Sequence, residues 1–88
     1  MTQMDSSTTR EEILDEIRQV FAESFSIEET DVALDAKLYE DLDIDSIDAV
    51  DLMVALKKKT GRKLDPEVFK GLRTVDDVVG AVHNLLAQ

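Results

Sequence analysis

The sequence predicts an all-α fold: a four-helix bundle with three main helices, one short third helix and a long first loop. Three observations predict it. Apolar residues recur at helical spacing in three segments. Residue pairs with capping spacing, Thr9/Glu12, Asp45/Asp48 and Thr74/Asp77, stand at the starts of those segments. The 88 residues include no cysteine and few aromatics, so no disulfide or thiolate metal site staples the chain. Aliphatic packing must hold it together, and a chain this short needs an efficient core.

Each element follows from local chemistry. Residues 1–8 carry no periodic pattern and read as a flexible N-terminal tail; residues 9–88 form one domain. Acidic residues crowd the turn after Thr9, and Ile13, Leu14, Ile17, Val20 and Phe21 form a helical stripe. The first helix is therefore placed over residues 10–24. Between residues 25 and 44 apolar residues recur (Ile27, Val32, Leu34, Leu38, Leu42, Ile44) without a helical period. That segment reads as an ordered loop whose aliphatic side chains dock on the bundle. Loops this long tend to be functional.

Asp45 is placed as the cap of the second helix, with Ser46 at the first helical position and on the surface. Val50, Leu52, Met53 and Leu56 are assigned to its buried face. Lys57, Lys58 and Lys59 fall in its last turns, where cations suit the helix dipole, and Gly61 stops it. Asp65-Pro66 opens a short helix that runs to Lys70 and ends at Gly71. Val75, Val78, Val79, Val82, Leu85 and Leu86 form the clearest stripe. Each, fully buried, contributes roughly 1.5–3 kcal/mol. Their β-branched members lower helix propensity, so packing must hold this last helix.

Charge excludes several functions. The formal net charge is −10, which repels nucleic-acid phosphate and anionic membrane surfaces. Basic patches on partner proteins are the natural counterpart. The longest apolar run, Leu52 to Leu56, is too short to cross a bilayer, and the polar N-terminus has no signal-peptide core. No stable membrane insertion is expected, and the cytoplasm is the expected compartment.

The run Asp41-Leu42-Asp43-Ile44-Asp45-Ser46-Ile47-Asp48 carries the functional signal. Asp41, Asp43 and Asp45 match the first three ligand positions of an EF-hand loop. Ser46 then stands where glycine is required, and Leu52 where a bidentate glutamate is required. No metal site is expected, although weak divalent binding to the acidic surface stays open. Ser46 is also a poor nucleophile. The single histidine, His83, lies near the far end of the last helix, and no glycine-flanked elbow surrounds Ser46. The chain is expected not to be an enzyme. On local chemistry alone, an ordinary helix-start serine is the simplest reading of Ser46.

The wider pattern points elsewhere. Asp45-Ser46-Ile47-Asp48-Ala49-Val50-Asp51-Leu52 resembles the phosphopantetheine attachment region of acyl carrier proteins, with Ile47 in place of the usual leucine. The resemblance spans nearly the whole chain, from the first helix through the long loop to Thr74-Val75 and the last helix. It implies that Ser46 is the attachment serine for a covalent 4'-phosphopantetheine. A phosphopantetheinyl transferase would add the arm from coenzyme A, and the arm's thiol would carry acyl groups as thioesters. It also implies that Asp45, Asp48 and Asp51 offer an acidic face to basic partners, that Ile47 and Val54 are exposed apolar contacts, and that Phe69 lies near the acyl pocket or in the core. The implied partners are the transferase, a ketosynthase, an acyltransferase and other acyl-chain enzymes, served by a monomer in fatty-acid, polyketide-like or specialised lipid synthesis.

Peptidyl carriers share the fold but usually place glycines before the serine, where Ile44-Asp45 stands here. A purely non-covalent acidic adaptor is the competing class. One departure is this chain's own. Fatty-acid carriers stay acidic along the second helix, whereas Lys57, Lys58 and Lys59 turn it basic, as do Arg62, Lys63, Lys70 and Arg73 beyond. Lys57 and Lys58 therefore join the expected partner surface, facing a dedicated partner set. The stretch from Thr60 to Leu64, with Phe69-Lys70 and Leu72 to Val75, is similar to carriers of specialised, aryl-polyene-like lipid clusters.

Overall fold

Four helices follow in chain order: α1 (Arg10–Phe25), α2 (Ser46–Thr60), α3 (Pro66–Lys70) and α4 (Val75–Ala87). The computed structural model describes residue 4 and residues 7–87. Among them no strand forms; a single antiparallel bridge joins Lys37 to Thr74. The expected all-α bundle, three main helices with one short third helix, is the observed architecture.

α1 starts where its cap pair requires. Thr9 Oγ1 accepts from the Glu12 N–H at 3.2 Å, and Glu12 Oε1 accepts from the Thr9 N–H at 3.0 Å. The helix runs one residue past the expected end, to Phe25, and closes at Ser26 in the left-handed region (φ 56°). The Phe21 and Phe25 rings pack with centroids 5.7 Å apart. Ile13, Ile17, Val20 and Phe21 are buried, as their stripe predicts.

The long loop docks as expected, through Val32, Leu38, Leu42 and Ile44. It contains one short 3-10 turn, Glu29–Asp31, that no periodic pattern announced. Leu34 corrects the docking expectation: it stands 45% exposed. Its backbone does the docking instead, since the Leu34 carbonyl accepts from the Asp76 N–H at 2.9 Å. The Ala36 carbonyl likewise accepts from Val75 N–H at 3.0 Å, and Leu38 N–H donates to the Arg73 carbonyl at 2.8 Å. Loop carbonyls thus satisfy two of the unpaired donors at the start of α4. Thr74 and Asp77 complete that cap: Thr74 Oγ1 accepts from Asp77 N–H and Asp77 Oδ2 accepts from Thr74 N–H, each at 3.2 Å. On the other side, Arg18 Nε of α1 donates to the Val32 carbonyl at 2.9 Å.

α2 corrects a second expectation. Its buried residues are Ala49, Leu52, Leu56 and Thr60; Met53 is half-buried and Val50 is 54% exposed. The helical step explains the error. Each residue turns about 100° from the last, so Val50 lies a quarter turn away from Ala49, outside the core stripe. Small Ala49 fills the inward position where a larger aliphatic was expected. α3 and α4 follow their caps: Asp65 Oδ1 accepts from Glu67 N–H at 2.9 Å, and Val75, Val78, Val79, Val82 and Leu86 are buried while Leu85 is half-buried. Phe69 is core.

Most of the residue 1–8 segment lies outside the described residues. Met4 within it is buried, and its N–H donates to the Lys59 carbonyl at 3.1 Å.

Candidate functional site

Ser46 is held on a platform made from both sides. Before it, Leu42 and Ile44 are buried and the Ile44 N–H donates to the Leu38 carbonyl at 2.9 Å. Asp41 Oδ2 accepts from the Lys37 N–H at 2.8 Å, and the Asp41 and Leu42 N–H groups both donate to the Lys37 carbonyl. Between the buried pair, Asp43 takes a left-handed conformation (φ 54°), which aspartate tolerates better than most residues. That reversal lets Leu42 and Ile44 both point inward while the chain swings into α2.

After Ser46, the helix itself is the support. Asp45 Oδ1 accepts from the Asp48 N–H at 2.8 Å, and Asp48 Oδ2 lies 3.5 Å from the Asp45 nitrogen. Asp45 stays extended (φ −99°, ψ −175°) and Ser46 is the first helical residue, as expected. Ser46 is exposed, and its hydroxyl has no hydrogen-bond partner among the described residues.

The acidic run is used for local folding. Asp41 and Asp45, the first and third positions of the EF-hand match, each give an oxygen to a backbone N–H. Among the described residues no group of three His, Cys, Asp or Glu side chains is arranged to hold a metal ion.

The candidate contact residues lie on one outward face. Ile47 is 73% exposed and Val54 48% exposed. With Val50 they make an apolar stripe along α2 that starts beside Ser46. Asp45 and Asp51 are exposed, whereas Asp48 is half-buried behind its cap bond. Lys57 and Lys58 are exposed about 17 Å further along the helix axis. Lys59 behaves differently: its Nζ pairs with Glu16 of α1 at 2.7 Å. The three lysines therefore divide into one inward clamp and two outward charges. The sequence reading missed Val50 as a surface residue; its one signal was spacing, since Val50 sits three residues after Ile47 and four before Val54.

An exposed serine at the first turn of a pinned helix, flanked by exposed apolar and acidic residues, is a place to attach and present a group. The comparisons with known proteins show the family. Residues 15–82 match the family described as "Phosphopantetheine attachment site". The chain is 54% identical over 79 residues to "Acyl carrier protein 2" of Ralstonia nicotianae, covering 90% of this chain and 98% of that protein. It is 40% identical to "Acyl carrier protein" of Rhodococcus erythropolis, covering 91% and 88%. It is 37% identical to "Meromycolate extension acyl carrier protein" of Mycolicibacterium smegmatis, covering 90% and 80%.

The chain belongs to the acyl carrier protein family. It is a non-catalytic carrier, and it works with enzymes of acyl-chain biosynthesis. When bound, the family's phosphopantetheine arm supplies the thiol that holds the acyl group. The exposed, unengaged hydroxyl of Ser46 fits such a group, and the start of α2 favours its phosphate; Asp45 and Asp48 oppose that attraction. Among the described residues no helix is long and apolar enough to cross a membrane.

Proposed function

We propose that Ser46 bears the phosphopantetheine arm of this carrier. One observation carries the reading: an exposed hydroxyl at the first position of α2, with no hydrogen-bond partner among the described residues, in an Asp-Ser-Ile version of the attachment motif. In the loading step Ser46 Oγ forms a phosphodiester bond to the β-phosphorus of coenzyme A. The bond to the adenosine bisphosphate breaks, that group leaves, and the hydroxyl proton passes to a base of the transferase. The pinned loop and capped helix keep Ser46 fixed, so the reach of the carrier belongs to the arm. Tethering then raises the effective concentration of the acyl group at each enzyme.

The partner face is Asp45, Ile47, Asp48, Asp51 and Val54, with Val50 added, and Lys57 and Lys58 at its far end. It meets a phosphopantetheinyl transferase, a ketosynthase and an acyltransferase in turn, with the carrier acting as a cytoplasmic monomer. The change of sign along α2 supports a dedicated partner set, in a specialised lipid or long-chain pathway rather than general fatty-acid synthesis. The meromycolate-extension carrier among the relatives supports the same direction.

The test is intact mass. The protein is incubated with coenzyme A and a broad-specificity phosphopantetheinyl transferase. One added phosphopantetheine, absent in Ser46→Ala, is the expected result. No addition with several active transferases would leave the non-covalent adaptor as the better reading.

A further inference from the structure

Met4 meets Lys59 at the end of α2 opposite Ser46. Ser46 and Lys59 lie about 20 Å apart along the helix axis. The Met4 N–H donates to the Lys59 carbonyl at 3.1 Å, one of the carbonyls that the end of a helix leaves without an internal partner. The Met4 side chain is 8% exposed and belongs to the same apolar core as Ile13 and Leu56. Lys59 Nζ in turn holds Glu16 of α1 at 2.7 Å. Met4 therefore pins the end of α2 through one backbone bond and one buried thioether.

Chemistry at a single atom breaks this anchor. The chain has no cysteine, so methionine supplies its oxidisable sulfur. A thioether takes one oxygen atom from hydrogen peroxide. The sulfur lone pair forms the S–O bond, the O–O bond breaks, and the hydroxide that leaves takes up the remaining peroxide proton as water. Sulfur loses two electrons and the peroxide gains them. The product is a polar side chain in place of an apolar one. Burying its oxygen is costly unless a donor meets it. The end of α2 presents carbonyls, which accept and do not donate, and the ammonium group of Lys59 is held by Glu16.

We propose that Met4 is a sulfoxidation site that works as a latch: the thioether holds the far end of α2 closed, and the sulfoxide leaves the core and frees it. Oxidation passes through the open form, because the closed side chain is buried. Each oxidised molecule then stays open, since its side chain no longer returns to apolar surroundings. The proposal does not require the arm on Ser46. It also leaves the attachment end in place, because Ser46 has separate supports in the Asp45–Asp48 cap and in buried Leu42 and Ile44.

The test treats the full chain with hydrogen peroxide. Peptide mass locates oxidised methionine, and amide hydrogen exchange is read by NMR on the same samples. Met4 should oxidise about tenfold more slowly in the folded chain than in the urea-unfolded chain. Once it is oxidised, the amides of Met4, Thr60 and Gly61 should exchange about tenfold faster, while that of Asp48 should not change. Met4→Leu keeps an apolar anchor without the sulfur and should stay protected with and without peroxide. That variant separates Met4 from Met53, the half-buried methionine of α2. Met4→Gln, polar from the outset, should exchange fast without peroxide. Circular dichroism establishes that each variant is folded. Equal oxidation rates in the folded and unfolded chain, unchanged exchange after Met4 is oxidised, the same peroxide response in Met4→Leu, or protection retained in Met4→Gln would each overturn the proposal. Ser46→Ala should respond to peroxide as the unchanged chain does while abolishing the mass shift of arm attachment, so the two readings fail separately.

Discussion

At its start α2 turns Ser46 and Ile47 outward; at its end it turns Thr60 and Lys59 inward. Both ends are rich in polar groups, but those groups have different work. At the start, backbone caps are satisfied by Asp45 and Asp48, and the serine hydroxyl has no hydrogen-bond partner among the described residues. At the end, Thr60 Oγ1 is buried, donates to the Leu56 carbonyl at 2.8 Å and accepts from the Arg62 N–H at 3.1 Å. Lys59 reaches Glu16 through its side chain and Met4 through its carbonyl, and Gly61 closes the helix at φ 70°. One helix therefore has a working end and a fastening end. A residue's polarity says little about which end it serves; whether its polar atoms are already satisfied says much more.

The largest expected difference tests that division directly. Leu56, fully buried near the fastening end, should lose about 2–5 kcal/mol of stability on Leu56→Ala. Ile47→Ala at the working end should stay within about 0.5 kcal/mol. Urea denaturation measures both, and similar losses would break the comparison. Thr60→Val comes next. It keeps the shape but leaves the Arg62 N–H without its partner, at a cost of about 1–2 kcal/mol. Asp45→Ala removes a cap at the working end and should cost about 1 kcal/mol. A cost above that of Thr60→Val would make the start of α2, not its end, the principal fastening.

The smallest effect is one of pH, away from α2. Backbone N–H donation from Arg73 and Thr74 holds the Asp77 carboxyl below the usual aspartate range. A carboxylate lowered in the folded state stabilises above its unfolded value, and that contribution is lost as pH falls through the folded value. Acid titration of unfolding should therefore show a shallower loss in Asp77→Asn than in the unchanged chain over that acidic range. An unchanged slope would remove Asp77 from the cap of α4.

The parts of the fold legible in the sequence are those set by residues three or four apart. The caps at Thr9, Asp45, Asp65 and Thr74, the placement of Ser46 and the stripe of α4 all have that range, and all stand where local chemistry puts them. What escaped depends on partners distant in sequence. Val50 looked like core because it is aliphatic, yet Ala49 takes the inward position. Leu34 looked like a docking side chain, yet its carbonyl docks on α4 from 42 residues away. The clamp of Lys59 on Glu16 spans 43 residues, and no local pattern distinguishes it from Lys57 or Lys58.

The central claim is that Ser46, and no other hydroxyl, carries the arm. The most direct measurement digests the protein after loading from coenzyme A and locates the added phosphopantetheine by tandem mass spectrometry. The expected result is a single modified residue, Ser46, with helical content unchanged. Modification at another serine or threonine, or loading that persists in Ser46→Ala, would contradict it.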